Sequence, residues 1–199
     1  MEAAIKIAAS HPRTSHLDFE IKWRPFQLDD SLPFVGVNKL ELYKAKYGQR
    51  VLDMIPMMAD TGKKLSPSIL FSYGGKIANT LTSHTILNRA LEEGGSILQD
   101  KVVEGLFKHY FTNEGDLADK EKLYEIGIDA GMNKDKLKSL LSEEENARAR
   151  ELIKVEEMQW KRKFRISGVP FFIFNKKYSL SGAQEAVKFL EIFAQIAEE

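Results

Sequence analysis

The side chains in this sequence with the widest chemical range are four histidines, because the chain contains no cysteine. They are His11, His16, His84 and His109. No two of them have the spacing of a helical metal site, and no HExxH motif occurs. Isolated histidines are usually surface or packing residues. The sequence therefore predicts neither a metal site nor a histidine-based catalytic centre.

His84 is the exception, because a polar cluster precedes it at a predicted helix start. Asn79, Thr80, Thr82 and Ser83 supply an amide and three hydroxyls there. We take Asn79 and His84 as candidate ligand-binding residues. Ordinary helix capping explains the same residues equally well, so both interpretations stay open.

Other nucleophile and phosphate-binding motifs are absent from the sequence. There is no GxSxG elbow, and neither GxxxxGK nor GxGxxG occurs. Without cysteine these residues supply no thiolate for disulfide exchange. We predict no catalytic residue and no cofactor.

A second candidate site is the segment Ser167, Gly168, Val169 and Pro170, which precedes the apolar run Phe171–Phe174. A cis bond before proline costs only about 0.5–1 kcal/mol relative to trans. It would expose the N–H and C=O of Val169 at the end of a strand, where an extended peptide or a small thiol compound could pair by strand addition. On the residues alone, a trans proline that begins a strand also fits.

Length and charge limit the class of protein. The 199 residues suit one domain, or one domain with a large insertion. The 29 basic and 29 acidic residues argue against a general nucleic-acid binder, and we read the basic run Lys161–Arg165 as a solvated helix end. No signal-like start and no apolar run of about 18 residues is present, so we expect a cytoplasmic protein without membrane contact.

Hydrophobic periodicity predicts an α/β protein with a central helical block. Apolar residues alternate from Leu17 to Trp23, which is typical of a half-buried strand. Residues 38–163 read as helices, separated by Gly94–Gly95 and by a loop over 65–75 that contains Pro67. Two strands, Phe171–Phe174 and Lys177–Leu180, flank a turn at Asn175–Lys176, and Ser181 with Gln184 predicts a capping box for a last helix. That helix is expected to bury Val187, Leu190, Phe193, Ala194 and Ala197.

Five segments carry a resemblance to a known family. The runs Ser167–Phe172 and Tyr178–Gln184 closely resemble the end of DsbA-like thioredoxin-fold proteins of the FrnE type, within the disulfide oxidoreductase and hydroxychromene-carboxylate isomerase superfamily. Residues 23–28 are similar to the segment after the second strand of that family. Residues 110–112 and 79–84 are similar to its helical domain. The sequence departs after Gln184, where the family usually has prolines.

The resemblance implies a thioredoxin-like fold with an all-helical insertion. The implied domain boundaries are 1–37 with 164–199 for the thioredoxin-like domain and 38–163 for the insertion. It also implies thiol–disulfide oxidoreductase ancestry and a cis bond between Val169 and Pro170 that lines a substrate groove.

The family normally opens with a strand and a Cys-Pro-Trp-Cys type motif, whereas this sequence begins inside the following helix. We therefore expect a truncated form that is redox-inactive as given. The alternatives are a non-catalytic module that binds peptide or glutathione, and a truncated gene product. Loss of the first strand leaves the edge of residues 17–23 unpaired, which predicts self-association through that edge.

Overall fold

The computed structural model describes residues 1–65 and 68–199, so Pro67 lies outside the described residues. The chain divides into two compact units, Met1–Ile21 with Met158–Glu199, and Lys22–Glu157. We call them the hairpin unit and the helical unit. The domain boundaries predicted at 37/38 and 163/164 stay a prediction.

The elements are α1 (Glu2–Ser10), β1 (Val37–Asn38), α2 (Lys39–Tyr47), α3 (Arg50–Lys63), β2 (Lys76–Ile77), α4 (Leu81–Phe107), a π-helical turn (Lys108–Thr112), α5 (Lys120–Ala130), α6 (Lys134–Leu140), α7 (Glu143–Phe164), β3 (Phe171–Phe174), β4 (Tyr178–Ser181) and α8 (Ala186–Ala197).

The core of the hairpin unit forms where α1 and α8 pack together. Ala4 and Ala8 of α1 are fully buried against Phe189 and Phe193 of α8. Because alanine has no bulk beyond Cβ, the two helices approach closely, and the phenylalanine rings fill the space beneath the hairpin. The ring centroid of Phe172 lies 4.9 Å from that of Phe189 in an edge-to-face arrangement.

Residues 17–23 do not form the strand that their alternation predicts. Leu17, Phe19, Ile21 and Trp23 are half-buried and the intervening side chains are exposed, so the period of two is present. The segment is not part of either sheet, because the only pairs among the described residues are β1 with β2 and β3 with β4. The ring of Phe19 lies 4.7 Å from that of Phe193, so packing against the core of α1 and α8 accounts for the burial of Leu17 and Phe19.

The hairpin of β3 and β4 is antiparallel, with Phe172 opposite Leu180 and Phe174 opposite Tyr178. Asn175 and Lys176 take positive φ values of 49° and 59°, as a primed turn requires. Strand β4 starts at Tyr178, one residue later than predicted, because the N–H of Lys177 donates to the carbonyl of Phe174 within the turn, at 2.9 Å.

Two expectations for the last helix were wrong. No capping box forms: α8 begins at Ala186 after Glu185, and the Gln184 amide donates to the carbonyl of Ser181 at 2.8 Å. Val187 is 50% exposed, whereas Phe189 and Ile192 are buried. The buried face is shifted because the rings of Phe189 and Phe193 face the hairpin.

The helical unit has its own apolar core around α4, α5 and α6. Its fully buried members include Ile86, Val102, Leu123 and Leu137. The predicted break at Gly94–Gly95 is confirmed, because both residues leave helical geometry within α4 and Gly95 has a φ of 68°. Gly131 ends α5 in the left-handed conformation, which glycine adopts readily.

Three helix starts in this unit have side-chain caps. The side chains of Asn38, Asp119 and Asn133 each accept hydrogen bonds from backbone N–H groups at the first turn of α2, α5 and α6. Helix α3 continues through Pro56. None of the described helices has the length and apolarity needed to cross a bilayer. The cytoplasmic location stays a prediction.

Candidate functional site

The segment Ser167–Pro170 connects α7 to β3 in the hairpin unit, and the peptide bond between Val169 and Pro170 is cis. Ser167, Val169 and Pro170 are exposed, and Val169 is 42% exposed. A Cβ built on Gly168 meets no atom within 4 Å, so open space lies beside that residue. The four predicted site residues thus lie together on an accessible surface.

Val169 directly precedes β3 in the chain. The N–H of Gly182 donates to the carbonyl of Pro170 at 2.8 Å, which extends the ladder between β3 and β4 by one pair. Hydrogen-bonding direction alternates along a strand, so the backbone groups of Phe171 and Ile173 point away from β4 and form an open edge of β3. In residues 1–65 and 68–199, neither the N–H nor the C=O of Val169 makes a hydrogen bond. An unpaired edge of this kind can accept one more extended strand.

Asn79 lies in the helical unit and is buried, with 3% of its surface exposed. Its side-chain oxygen accepts from the N–H of Leu81 at 3.0 Å, which caps α4. Its amide nitrogen donates to the side-chain oxygen of Gln27 at 3.1 Å. The capping interpretation of the polar cluster therefore describes this residue, and a ligand would have to displace these bonds.

His84 also lies in the helical unit, half-buried one turn into α4. Burial lowers the pKa of His84 below its ordinary value, because the charged imidazolium loses its hydration. A hydrogen bond with the backbone of Phe26 and the carboxylates of Glu157 and Glu156 oppose this shift. Asn79 and His84 belong to a different unit from Ser167–Pro170, and a ligand-binding role for either residue stays a prediction.

We expect protonation of His84 to weaken the fold at mildly acidic pH. The unfolded imidazole has a pKa of about 6.5. Because the pKa of His84 is lower in the folded state, its contribution is fully present above pH 6.5 and is lost as the pH falls towards the folded pKa. Urea unfolding of the wild type should therefore show stability falling between pH 7 and pH 5, and His84→Gln should flatten that slope.

The control for this experiment is His16→Gln, which changes an exposed histidine of the hairpin unit. The carboxyl group of Asp29, whose pKa is lowered to about 2 by hydrogen bonds from Lys46 and Ser31, gives up its contribution only below about pH 4. Protonation of Asp29 therefore lies outside the pH range that the experiment tests. Equal slopes for wild type and His84→Gln would contradict the assignment.

Sequence reasoning missed two buried polar side chains that fix residues 23–27. The Gln99 side chain accepts from the N–H of Trp23 at 2.9 Å and donates to its carbonyl at 3.0 Å, as a neighbouring strand would. The Glu157 carboxylate accepts from the backbone N–H of Gln27 at 2.7 Å and from its amide at 2.8 Å. Gln99 and Glu157 are 1% and 4% exposed. A lone Gln or Glu within an amphipathic helix gives no sequence signal for such a role.

Tyr110, within the motif at residues 110–112, lies against a buried lysine. The Nζ of Lys39 lies 3.9 Å from the ring centroid of Tyr110, and Lys39 is 2% exposed. Desolvation lowers the pKa of Lys39, and burial raises the pKa of Tyr110. The cation–π contact between Lys39 and Tyr110 therefore stabilises the helical unit.

No group of three or more histidine, aspartate or glutamate side chains suited to a metal ion occurs in the parts of the chain that the structure describes. A cleft of about 350 Å³ lies in the helical unit beside Phe34 and Arg150, whose guanidinium is 4.3 Å from the ring centroid of Phe34. Neither the predicted site residues nor the resembling motifs line it.

In the hairpin unit, a β-hairpin that follows a cis-proline loop packs on two helices, and a separate helical unit lies between the two chain segments of the hairpin unit. The sequence matches the DSBA-like thioredoxin domain family over residues 3–194. The chain therefore belongs to the DsbA-like thioredoxin family, and the predicted fold class is confirmed.

The crystal structure of a probable DsbA oxidoreductase from Streptomyces coelicolor is similar to this chain. It superposes with a TM-score of 0.81 at 22% identity, and the match covers 100% of this chain and 83% of the other. At that identity the likeness establishes the fold alone. No curated protein sequence matches the chain.

Proposed function

We propose that these 199 residues form a redox-inactive, FrnE-type member of the DsbA-like family that binds extended peptides at Val169–Pro170. The observation that carries the proposal is the free N–H and C=O of Val169, which directly precedes the open edge of β3. A peptide strand could satisfy both groups without displacing any bond of the protein.

The redox part of the proposal follows from composition. Thiol–disulfide exchange needs an attacking thiolate and a second thiol, and the 199 residues contain no cysteine. In an insulin reduction assay with dithiothreitol, and in oxidative refolding of a reduced substrate protein, we expect rates equal to those in buffer alone. A rate that rises with the concentration of the 199-residue protein would contradict the proposal.

Peptide binding can be tested at the residue that carries it. We expect an acetylated and amidated eight-residue peptide of alternating valine and serine to shift the amide resonance of Val169 in a ¹⁵N-correlation spectrum. Main-chain hydrogen bonds are each worth about 0.5–1.5 kcal/mol. The same peptide with N-methylated valines cannot donate these bonds, so it should bind about tenfold more weakly.

This matched peptide leaves the protein unchanged, so a difference between the two cannot come from misfolding. Equal affinity for both peptides, or shifts that avoid Val169, would contradict strand addition. If sedimentation shows that the protein dimerises and the peptide does not shift Val169, a second copy occupies the edge and the peptide proposal fails.

Glutathione is the second candidate ligand for the same edge. It is a short extended peptide with two carboxylates, and the basic residues Arg162, Lys163 and Arg165 precede the site. Oxidised or S-methyl glutathione that shifts Val169, where the eight-residue peptide does not, would replace peptide with glutathione as the ligand.

A further inference from the structure

The cis-proline loop lies within a stretch of chain that carries only positive charge. From Met158 to Gln184 there are no acidic residues, although the whole chain has 29 acidic and 29 basic residues. Both ends of the stretch belong to the hairpin unit. Its six basic residues are Lys161, Arg162, Lys163, Arg165, Lys176 and Lys177.

Most of these charges are not neutralised locally. Lys177 pairs with the carboxylate of Glu199. Arg162, Lys163, Arg165 and Lys176 are exposed, and none has a carboxylate within 4.0 Å among the residues that the structure describes. Three acidic residues of the hairpin unit already form ion pairs with other cations. Glu199 pairs with Lys177, Glu191 with Lys188 and Glu198 with Arg13.

Of the three unpaired cations around the end of α7, Arg165 is the nearest in the chain to Val169. Arg165 precedes Val169 by four residues, so their Cα atoms are at most about 14 Å apart. The Debye length at physiological salt is about 8 Å, so charges at this distance are attenuated without being abolished. A helix C-terminus is itself partly negative, and three cations there more than offset that partial charge.

Resting on the proposed function, we infer that the peptide accepted at Val169 is acidic, with glutamate or aspartate flanking the residues that pair with the edge of β3. Charge complementarity of this kind raises the association rate and excludes basic segments. The unpaired backbone of Val169 supplies the pairing, and Arg162, Lys163 and Arg165 supply the selection. In this arrangement the charged side chains select the peptide, and the backbone of Val169 pairs with any extended peptide.

The experiment compares three eight-residue peptides that differ only in charge. The valines are kept, and the intervening serines are left unchanged, replaced by glutamate, or replaced by lysine. We expect the glutamate peptide to bind about tenfold more tightly than the serine peptide, and the lysine peptide to bind more weakly than either. The advantage of the glutamate peptide should shrink as salt is raised from 50 to 500 mM.

A triple variant, Arg162→Gln with Lys163→Gln and Arg165→Gln, should remove most of this preference and leave the affinity for the serine peptide within about twofold. The matched control is Lys134→Gln with Lys136→Gln and Lys138→Gln, which removes three exposed charges from α6 in the helical unit. It should retain the preference.

The outcomes separate the two proposals. Binding of the serine peptide at Val169 with no gain from glutamate would overturn the acidic preference and leave the proposed function intact. Shifts at Val169 with none of the three peptides would overturn the proposed function. A twelve-nucleotide oligothymidine that binds this surface more tightly than the glutamate peptide would assign the charge to nucleic acid and overturn the inference.

Discussion

Replacing Phe189 with alanine is expected to lower the free energy of unfolding of the hairpin unit by about 3–5 kcal/mol, which is the usual cost of removing a buried phenylalanine. Phe189 is 1% exposed, and its ring contacts Phe172 at 4.9 Å and Phe174 at 6.1 Å between centroids. Ala4 and Ala8 belong to the same core and have no side-chain atoms beyond Cβ, so they cannot extend into the vacated space. The cavity therefore persists.

This loss should appear in amide hydrogen exchange as reduced protection of β3, β4 and α8. Val187→Ala is the matched control, because Val187 lies on the same helix, is 50% exposed and should cost no more than about 0.5 kcal/mol. A Phe189→Ala protein that keeps wild-type protection in β3 would show that the hairpin does not depend on α8.

Replacing Glu157 with alanine is expected to lower the free energy of unfolding of the helical unit by about 3 kcal/mol. Hydrogen bonds to a charged acceptor are worth about 1.5–3 kcal/mol each, and Glu157 accepts two from Gln27. The change leaves a backbone N–H of Gln27 without its acceptor. Gln27 also accepts a hydrogen bond from the amide of Asn79, and Asn79 accepts one from the first turn of α4. The loss of Glu157 therefore also weakens the contacts at the start of α4.

Calorimetric and urea unfolding of Glu157→Ala can be compared directly with Glu151→Ala. Glu151 lies on the same helix, is exposed and pairs with Lys154, so its loss should cost less than about 1 kcal/mol. Glu157→Gln keeps one acceptor oxygen and should fall between the two. Equal stabilities for both alanine variants would show that residues 23–27 are held by other contacts.

Local signals in the sequence predicted most of the elements, because the groups that decide them are neighbours in the chain. Asn38 and Asn133 cap their own helices, and Gly131 ends α5 with a positive φ that glycine tolerates. Asn175 and Lys176 form a turn between two apolar runs. Each of these caps and turns is determined by residues within four positions of one another.

The prediction of a strand was wrong where the local structure depends on partners that are distant in the chain. Alternation from Leu17 to Trp23 reports which side chains are half-buried, but a strand also needs a neighbouring backbone. At Trp23 that neighbour is the side chain of Gln99, 76 residues away. For Asn79 the sequence left helix capping and ligand binding open; the structure adds its bonds to Leu81 and Gln27, and a ligand-binding role stays a prediction.

The placement of two aromatic residues gives each unit its own optical reporter. Trp23 belongs to the helical unit, where its indole N–H donates to Asp100 at 3.0 Å, whereas Trp160 belongs to the hairpin unit and stacks on Phe164 at an angle of 15°. The chain has only these two tryptophans. Phenylalanine at either position therefore leaves a single intrinsic fluorophore, and the order in which the two units unfold becomes a measurement that needs no added label.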